Sequence, residues 1–276
     1  FKKVTSVKIL EQSISVIAWG LFKKLVFADN FGHLVNRCEE NIYIPGAGFL
    51  LLVAFSFQIY CDFSAYSDIA RGTARIFGIK LKRNFLTPYF AINPSDFWQR
   101  WHISLSKWVR DYIYIPLGGN RCSITRNIFN LLLTMTIMGL WHGANKFFPI
   151  WGLYHGALLI FYRLVPVNKF LIDRFCKKTG YFISIVLMYF LNLIGWLFFF
   201  SKSTEDFINI LKSFIQTGFI INANFDYQSS FLSLLYGLVI LLVPIFITEL
   251  IGFKYKREFT DILKMQNYSS KLFLYL

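Results

Sequence analysis

Five stretches of the chain contain no Asp, Glu, Lys or Arg, and each is long enough to form most or all of a membrane-crossing helix. They are Ile42–Cys61, Asn127–Asn145, Phe147–Tyr162, Thr179–Ser201 and Gln228–Thr248. A helix needs about 20 predominantly apolar residues to cross the hydrocarbon core of a bilayer. The third stretch is short, and we expect Pro149, near its start, to break it. The pattern predicts an all-α, polytopic membrane protein.

Composition supports lipid as the solvent. Hydrophobic residues make up 55% of the chain and the mean hydropathy is +0.48, whereas soluble domains average about 45–50% apolar residues. A sixth candidate span, Ile9–Ala28, is weaker because it carries Lys23 and Lys24. We predict one integral membrane domain over residues 1–276, with its core motifs in residues 58–163. Because the chain opens at Phe1, we also expect it to be a fragment that lacks N-terminal helices.

The net charge of +14 reports membrane topology and not nucleic-acid binding. The segment Asp62–Arg126 holds ten Lys and Arg against four Asp and Glu, whereas Asp29–Asn41 holds one Arg against three acids. Basic and non-basic loops alternate in this way across successive apolar stretches, which is the positive-inside pattern. We therefore predict a multi-pass protein of a bacterial cytoplasmic (inner) membrane, with the basic loops in the cytoplasm. Lys23 and Lys24 fit this topology poorly, because it places them near the outer end of their helix.

The segment Cys61–Arg126 is too polar to span a membrane and too aromatic to be a free loop. Its tryptophans and tyrosines, Trp101 among them, alternate with basic side chains, as is typical of the headgroup layer. We predict one interfacial or re-entrant helix over Asp96–Tyr114, with Asp96 as its cap or first-turn acid. Irregular backbone at membrane depth is tolerated only where it is buried in protein or lines a wet cavity, so a cavity is expected here.

Three of the four histidines are candidates for chemistry, because ionisable groups inside a membrane are costly. His142 and His155 lie in a short internal repeat, Gly139-Leu-Trp-His-Gly-Ala144 and Gly152-Leu-Tyr-His-Gly-Ala157, and His102 follows Trp101. For His142 and His155, which lie in apolar stretches, the alternative is a neutral imidazole that only hydrogen-bonds a neighbouring helix. His33 lies in a predicted polar loop, and we expect it to be inert.

Motifs for other chemistries are absent from the sequence. The four cysteines have no paired spacing, and no His-Glu-x-x-His, glycine-rich phosphate loop or Gly-x-Ser-x-Gly occurs. We therefore expect no metal and no bound cofactor. An imidazole without a neighbouring nucleophile suits a general base that acts on an acceptor hydroxyl, with Trp141 as a wall against water. A relay through Ser104 or Ser106 stays open.

Two carboxylates close the first apolar stretch. Asp62 and Asp68 are six residues apart, so one continuous helix would not place them on the same face. A helix end or a break between them is an equally good interpretation.

Several motifs resemble those of bacterial membrane-bound O-acyltransferases. They begin with Gln58-Ile-Tyr-Cys-Asp-Phe-Ser-Ala-Tyr-Ser-Asp-Ile-Ala70 and the run from Asp96 through Arg-Trp-His102 to Gly-Gly-Asn-Arg121, and end with the two histidine repeats. The branch that the chain resembles comprises the alginate and peptidoglycan O-acetyltransferases, with the teichoic acid D-alanyl transferases as cousins. The resemblance implies a helical bundle with re-entrant or interfacial helices around a central tunnel.

The resemblance also implies roles for particular residues. His142 would be the active-site histidine and His102 the second motif position, lining the cavity or orienting the donor. The other residues that we expect to line the cavity are Trp141, Asp62, Asp68, Trp101, Asp111, Asn120, Arg121 and His155. The donor would be acetyl-coenzyme A or an acylated carrier protein, entering from the cytoplasm. The acceptor would be a hydroxyl of an extracytoplasmic polysaccharide or of a periplasmic or secreted transferase partner.

Two alternatives from other classes remain at this stage. The chain could be a transporter of an acylated intermediate, or a scaffold for a transferase partner. Transporters often carry inverted or parallel repeats of whole halves, whereas this sequence repeats only six residues. Both alternatives predict that His142 is dispensable for transfer.

Overall fold

The computed structural model describes residues 7–216 and 225–255, and these residues form helices and connecting turns without a strand. The helices are α1 (Val7–Phe22), α2 (Asp29–Glu40), α3 (Ala47–Ile76), α4 (Pro94–Arg100), α5 (Ile103–Val109), α6 (Ile124–Trp141), α7 (Phe147–Leu164), α8 (Val167–Arg174), α9 (Lys177–Phe200), α10 (Thr204–Ile215) and α11 (Phe225–Tyr255). A π-helical turn, Lys23–Ala28, joins α1 to α2, and a second one, Arg110–Tyr114, follows α5. The predicted all-α class is confirmed.

Within the described residues, α3, α9 and α11 are long and apolar enough to cross a membrane. The pair α7 and α8 also qualifies as one span, although it is bent by 55° at the break between them. Helix α6 forms where a span was predicted, but it is not among the helices that are apolar enough. Pro149 does not break α7, because it lies in the first turn, where a missing N–H costs no helical hydrogen bond. The protein is a multi-pass membrane protein.

Helix α3 is the centre of the bundle, and α1, α2, α9, α10 and α11 all pack against it. Asp62 and Asp68 lie in this one uninterrupted helix, so there is no break between them. Lys23 is buried against α3, where its ammonium group contacts the Asp68 carboxylate at 2.8 Å and donates to the Ser64 hydroxyl at 2.9 Å. Lys24, on the same turn, pairs with both Asp29 and Asp62 at 2.8 Å.

These pairings explain why the two lysines fit the charge pattern poorly. The positive-inside pattern concerns charges in loops. Lys23 is instead matched to a carboxylate inside the helical bundle, and Lys24 is matched to two carboxylates at its surface.

Helices α6 and α7 pack closely against each other, and the glycines of the internal repeat make this possible. A Cβ atom on Gly139 would lie 2.2 Å from the carbonyl oxygen of Phe148, and one on Gly152 would lie 2.1 Å from that of Met135. No side chain fits at either distance. The repeat is therefore a packing device that brings His142 and His155 into the same region.

The segment predicted as a single helix over Asp96–Tyr114 is broken at its centre, so that prediction was wrong. Helix α4 ends at Arg100, Trp101 is extended, and His102 has φ 40° and ψ 55°. Helix α5 then starts at Ile103. Asp96 is a first-turn acid as expected, but the cap of α4 is Asn93, whose side chain accepts from the Asp96 N–H at 2.8 Å.

Candidate active site

His142 lies at the C-terminal end of α6, where the chain turns away from the helix. The turn depends on Gly143, whose φ of 141° is a conformation that side-chain-bearing residues rarely adopt. The backbone N–H of His142 still donates to the carbonyl of Gly139 at 3.0 Å. A glycine directly after the histidine therefore ends the helix and leaves the imidazole at its tip.

Four aromatic rings surround the His142 imidazole. The ring centroids of Phe199 and Trp141 lie 5.0 Å away, that of Trp151 lies 5.2 Å away and that of Phe148 lies 6.0 Å away. Three of these contacts are edge-to-face, and all four rings offer the imidazole little solvation. Burial accordingly lowers the pKa of His142 from 6.5 to about 4, so the ring is neutral at physiological pH.

His102 is the second half-buried imidazole of this region. Its ring makes an edge-to-face contact with Phe63, with centroids 4.5 Å apart. Burial, and to a lesser degree the nearby His142, lower the pKa of His102 from 6.5 to about 4. His142 is therefore close enough to His102 for a charge on one ring to disfavour a charge on the other.

His155 is fully buried behind Trp151, with 2% of its surface exposed. The Trp151 ring lies between the two imidazoles of the repeat, 5.2 Å from His142 and 5.1 Å from His155. His155 also packs against Trp98 at 5.2 Å and lies parallel to Phe97 at 6.0 Å. It supports the wall of the site from behind and does not face His142 directly.

Two large cavities lie beside this aromatic region. The first, of about 940 Å³, has an apolar wall that includes Trp98, Met135 and Met138. The second, of about 860 Å³, adjoins it along Arg110, Tyr114 and Leu131. His102 and His142 do not line either cavity, but Ile103 and Met138, one residue and one helical turn away from them, line the first.

The two cavities share a strongly basic lining. The first is bordered by Lys82, Arg83, Lys107 and Arg110, and the second by Arg110, Arg163 and Lys169. Of the part of the chain that the structure describes, no Asp or Glu side chain lines either cavity. The cavities therefore suit a ligand that combines negative charge with an uncharged portion.

The other residues predicted to line the site occupy different environments. Trp141 contacts His142 but is 64% exposed, so within the described residues it does not seal the site. Trp101 is buried in the core, where it packs against Phe85 and Trp196. Asp68 lines a separate small cavity of about 50 Å³ that Lys23 also borders.

Four further predicted residues lie nearer the surface. Asp62 is exposed and paired with Lys24, and Asp111 is exposed and paired with Arg110 at 2.7 Å. Arg121 and Asn120 are both exposed, and Asn120 also lines the second cavity. Of these four, Asn120 has a direct place in a large cavity.

The loop that carries Asn120 and Arg121 is held in place by buried side chains of α6. Asn127 donates to the Gly119 carbonyl at 2.7 Å and to the Tyr114 hydroxyl at 2.6 Å, and Arg163 donates to its amide oxygen. The chain reverses at Gly118 and Gly119, whose φ values are 110° and 54°. This network fixes the floor of the second cavity.

Sequence reasoning missed two residues of this region. Trp151 directly precedes the second repeat, and nothing in its spacing indicated a position between two imidazoles. Asn84 hydrogen-bonds the backbone directly after His102, through Ile103 at 3.0 Å and Ser104 at 3.2 Å. No motif pointed to it.

The fold and site define a class: a polytopic helical membrane protein with two neutral imidazoles beside basic cavities. Among the described residues, no cluster of His, Cys, Asp and Glu could hold a metal ion. The model of the membrane-bound O-acyltransferase (MBOAT) family matches residues 44–204, which is more than half of the chain. The chain belongs to this family.

Curated relatives support the same assignment. The chain is 38% identical to a peptidoglycan O-acetyltransferase of Helicobacter pylori over 209 residues, which are 72% of this chain and 38% of the relative. It is 40% identical to a probable alginate O-acetylase of Pseudomonas aeruginosa over 187 residues, 67% of this chain and 35% of the relative. It is 31% identical to a teichoic acid D-alanyltransferase of Streptococcus thermophilus over 184 residues, which are 62% of this chain and 44% of the relative. The chain thus spans less than half the length of these relatives.

Proposed function

We propose that the protein is an O-acyltransferase that moves an acyl group, of the acetyl class, from a cytoplasmic thioester to a hydroxyl outside the cytoplasmic membrane. The observation that carries the proposal is the His142 imidazole, which is neutral and caged by aromatic rings, with the imidazole of His102 nearby. A neutral imidazole accepts a proton, and the described rings that contact His142 carry no nucleophile of the Ser or Cys type. The relatives are named as transferases of acetyl or alanyl groups to peptidoglycan, alginate or teichoic acid, and these names agree with this chemistry.

The proposed reaction is a direct transfer. The Nε2 or Nδ1 atom of His142 takes the proton of the acceptor hydroxyl as its oxygen attacks the thioester carbonyl carbon. The tetrahedral intermediate collapses with cleavage of the carbon–sulfur bond, and the thiolate leaves and takes up the proton that the imidazolium releases. His102 borders the same region and orients the donor.

The basic cavities are the proposed route of the donor. Acetyl-coenzyme A carries phosphates, and the arm of an acylated carrier protein carries one on an acidic protein. Either would be attracted by Lys82, Lys107 and Arg110 at the rim. The apolar wall then receives the uncharged arm and its thioester.

The acceptor lies on the opposite side of the membrane in this proposal. It is a hydroxyl of an extracytoplasmic polysaccharide, or of a periplasmic or secreted transferase that passes the acyl group on. The basic loops are cytoplasmic in this orientation, as the positive-inside pattern predicts.

The test is the ester content of cell-surface polysaccharide in cells that express the full-length protein. Wild type is compared with His142→Ala. The control is His33→Ala, which changes an exposed histidine of α2. The amount of each protein in the membrane is verified to be equal. Loss of a general base lowers a rate by about 10²–10⁴-fold, so ester groups should disappear in the His142 variant and persist in the His33 variant. Normal acylation in His142→Ala would refute the proposal and favour a transporter or a scaffold.

A further inference from the structure

His102 is held in a left-handed backbone conformation that is uncommon for residues other than glycine. In the described parts of the chain, the non-glycine residues with positive φ are His102, at 40°, and Thr87, at 45°. Such residues persist only where the surroundings over-determine their conformation, and they occur preferentially at functional sites. The surroundings of His102 therefore have to supply the constraint.

The constraint comes from the segment Asn84–Thr87. In a continuous helix the N–H groups of Ile103 and Ser104 would donate to the carbonyls of Gln99 and Arg100, four residues earlier. Instead, Ile103 donates to the Asn84 carbonyl at 3.0 Å and Ser104 donates to the Asn84 side-chain oxygen at 3.2 Å. The two N–H groups directly after His102 are both bound by this one residue.

The same exchange of partners occurs on the other side of His102. The Arg100 carbonyl, which the continuous helix would use, accepts from the Leu86 N–H at 3.0 Å. The Arg100 guanidinium donates to the Thr87 hydroxyl at 3.2 Å. Segment 84–87 thus replaces the helix's own hydrogen bonds on both sides of the break.

Asn84 is in turn anchored to the central helix. Its side-chain NH₂ group donates to the Ser67 hydroxyl on α3 at 3.3 Å. Phe63, one turn earlier on α3, contacts the His102 ring. One face of α3 therefore holds both the imidazole and the residue that fixes its backbone.

We propose that Asn84 is a positioning residue that keeps His102 in the left-handed conformation by capturing the N–H groups of Ile103 and Ser104. Without this capture, α4 and α5 are free to merge into the single helix that the sequence predicts, and the His102 side chain would turn away from its place beside Phe63. The proposal rests on the role in transfer assigned above to His102.

The first experiment measures kcat and KM for the donor in the full-length enzyme. Asn84→Ala should lower kcat at least tenfold and leave KM within about twofold. Asn84→Asp, which keeps the oxygen that accepts from Ser104, should recover part of the loss. Asn41→Ala is the control, because the Asn41 side chain also bonds the backbone, by donating to the Arg37 carbonyl at the end of α2, and this variant should retain wild-type kcat.

A double mutant separates positioning from general damage. If Asn84 acts through His102, then Asn84→Ala should change kcat less than twofold in a His102→Ala background. Independent, multiplicative losses would overturn the proposal.

A second measurement does not depend on activity, so a failure of the proposed function is distinguishable from a failure of this inference. Modification of His102 by diethyl pyrocarbonate is followed by mass spectrometry, with the exposed His33 as the internal reference. Asn84→Ala should raise the rate of His102 modification severalfold. Asn84→Asp should raise that rate only slightly. An unchanged rate in a folded Asn84→Ala protein would overturn the inference even if the wild type transferred no acyl group.

Discussion

Gly139 on α6 and Gly152 on α7 are reciprocal contact points, because each is pressed against a backbone carbonyl of the other helix. The missing Cβ atoms would stand 2.2 Å from the Phe148 oxygen and 2.1 Å from the Met135 oxygen. Small residues of this kind let helices approach closely inside a membrane. The close approach of α6 and α7 also sets the distance of 5.2 Å between the ring centroids of His142 and Trp151.

The first prediction concerns that contact. Gly152→Ala should lower the apparent melting temperature of the detergent-solubilised protein by several degrees and reduce acyl transfer, because neither backbone can yield without separating α6 from α7. Gly237→Ala on α11 is the control, since among the described residues its Cβ would meet only Leu34 Cδ1, at 3.5 Å. A helical Gly→Ala change without a clash is neutral or stabilising by up to about 1 kcal/mol. Equal melting temperatures for the two variants would contradict the packing role.

The second prediction is the pH dependence of transfer. The pKa values of His102 and His142 are both lowered to about 4, so both rings stay neutral down to about pH 5. The rate should therefore be nearly constant between pH 5.5 and 7.5 and should fall only at lower pH, in contrast to a histidine with an ordinary pKa of about 6.5. Half-maximal activity near pH 6.5 would show that His142 is not in the environment described.

The same shift makes stability depend on pH with a definite sign. Between pH 4 and pH 6.5 the unfolded chain binds more protons at these two histidines than the folded chain. Their contribution to stability is therefore complete above about pH 6.5 and is lost as the pH falls towards 4. A His102→Gln/His142→Gln double variant should lose less stability than wild type over this interval, as measured by thermal unfolding.

The third prediction concerns the buried ion pair of Lys23 and Asp68. Their side chains are 7% and 13% exposed, and Asp68 also pairs with Arg71 at 3.0 Å, so removal of Lys23 leaves the Asp68 carboxylate with one cation instead of two. Lys23→Met should therefore destabilise the protein by less than the about 3–5 kcal/mol of an uncompensated buried charge, and Lys23→Met combined with Asp68→Asn should recover part of this loss. Lys24→Met is the control, because this lysine is 44% exposed and such pairs contribute about 0–1 kcal/mol. Additive losses in the double variant would argue against a direct pair.

The fourth prediction tests the basic cavities as the route of the donor. Lys82→Ala combined with Lys107→Ala should raise KM for the thioester donor severalfold at low salt and leave kcat nearly unchanged, because these side chains attract the donor and take no part in bond making. The difference from wild type should shrink as ionic strength rises. Lys178→Ala, at the start of α9 and outside both cavities, is the control. A KM that does not change would place donor entry elsewhere.

Much of the fold could be predicted because apolar periodicity and charge-free length are local properties. Helices α3, α9 and α11 fall where charge-free stretches lie, since a helix in lipid must satisfy its own backbone hydrogen bonds. The break at His102 could not be predicted in this way. The sequence around it favours a continuous helix, and the partners that interrupt it, Asn84 and Leu86, come from a segment some 15 to 20 residues earlier.

The candidate site was predictable where residue chemistry alone restricts the role. His142 was selected because an imidazole in an apolar stretch is costly, whereas His102 was selected for its motif position, and the structure half-buries both rings against aromatic side chains. Trp101, Asp62 and Asp111 were selected for their place in a motif, which says nothing of the direction in which a side chain points. Trp101 points into the core, and the two carboxylates neutralise neighbouring basic groups.

The pairing of Lys23 with Asp68 also constrains how the protein is assembled in the cell. A helix that carries an unpaired ammonium group near its end is a poor candidate for release into lipid on its own, and the partner carboxylate emerges from the ribosome 45 residues later in the chain. The pair can therefore form only after α3 has been synthesised, and until then the Lys23 ammonium group has to stay in contact with water or lipid headgroups. Packing of the turn after α1 against α3 then brings the two opposite charges together.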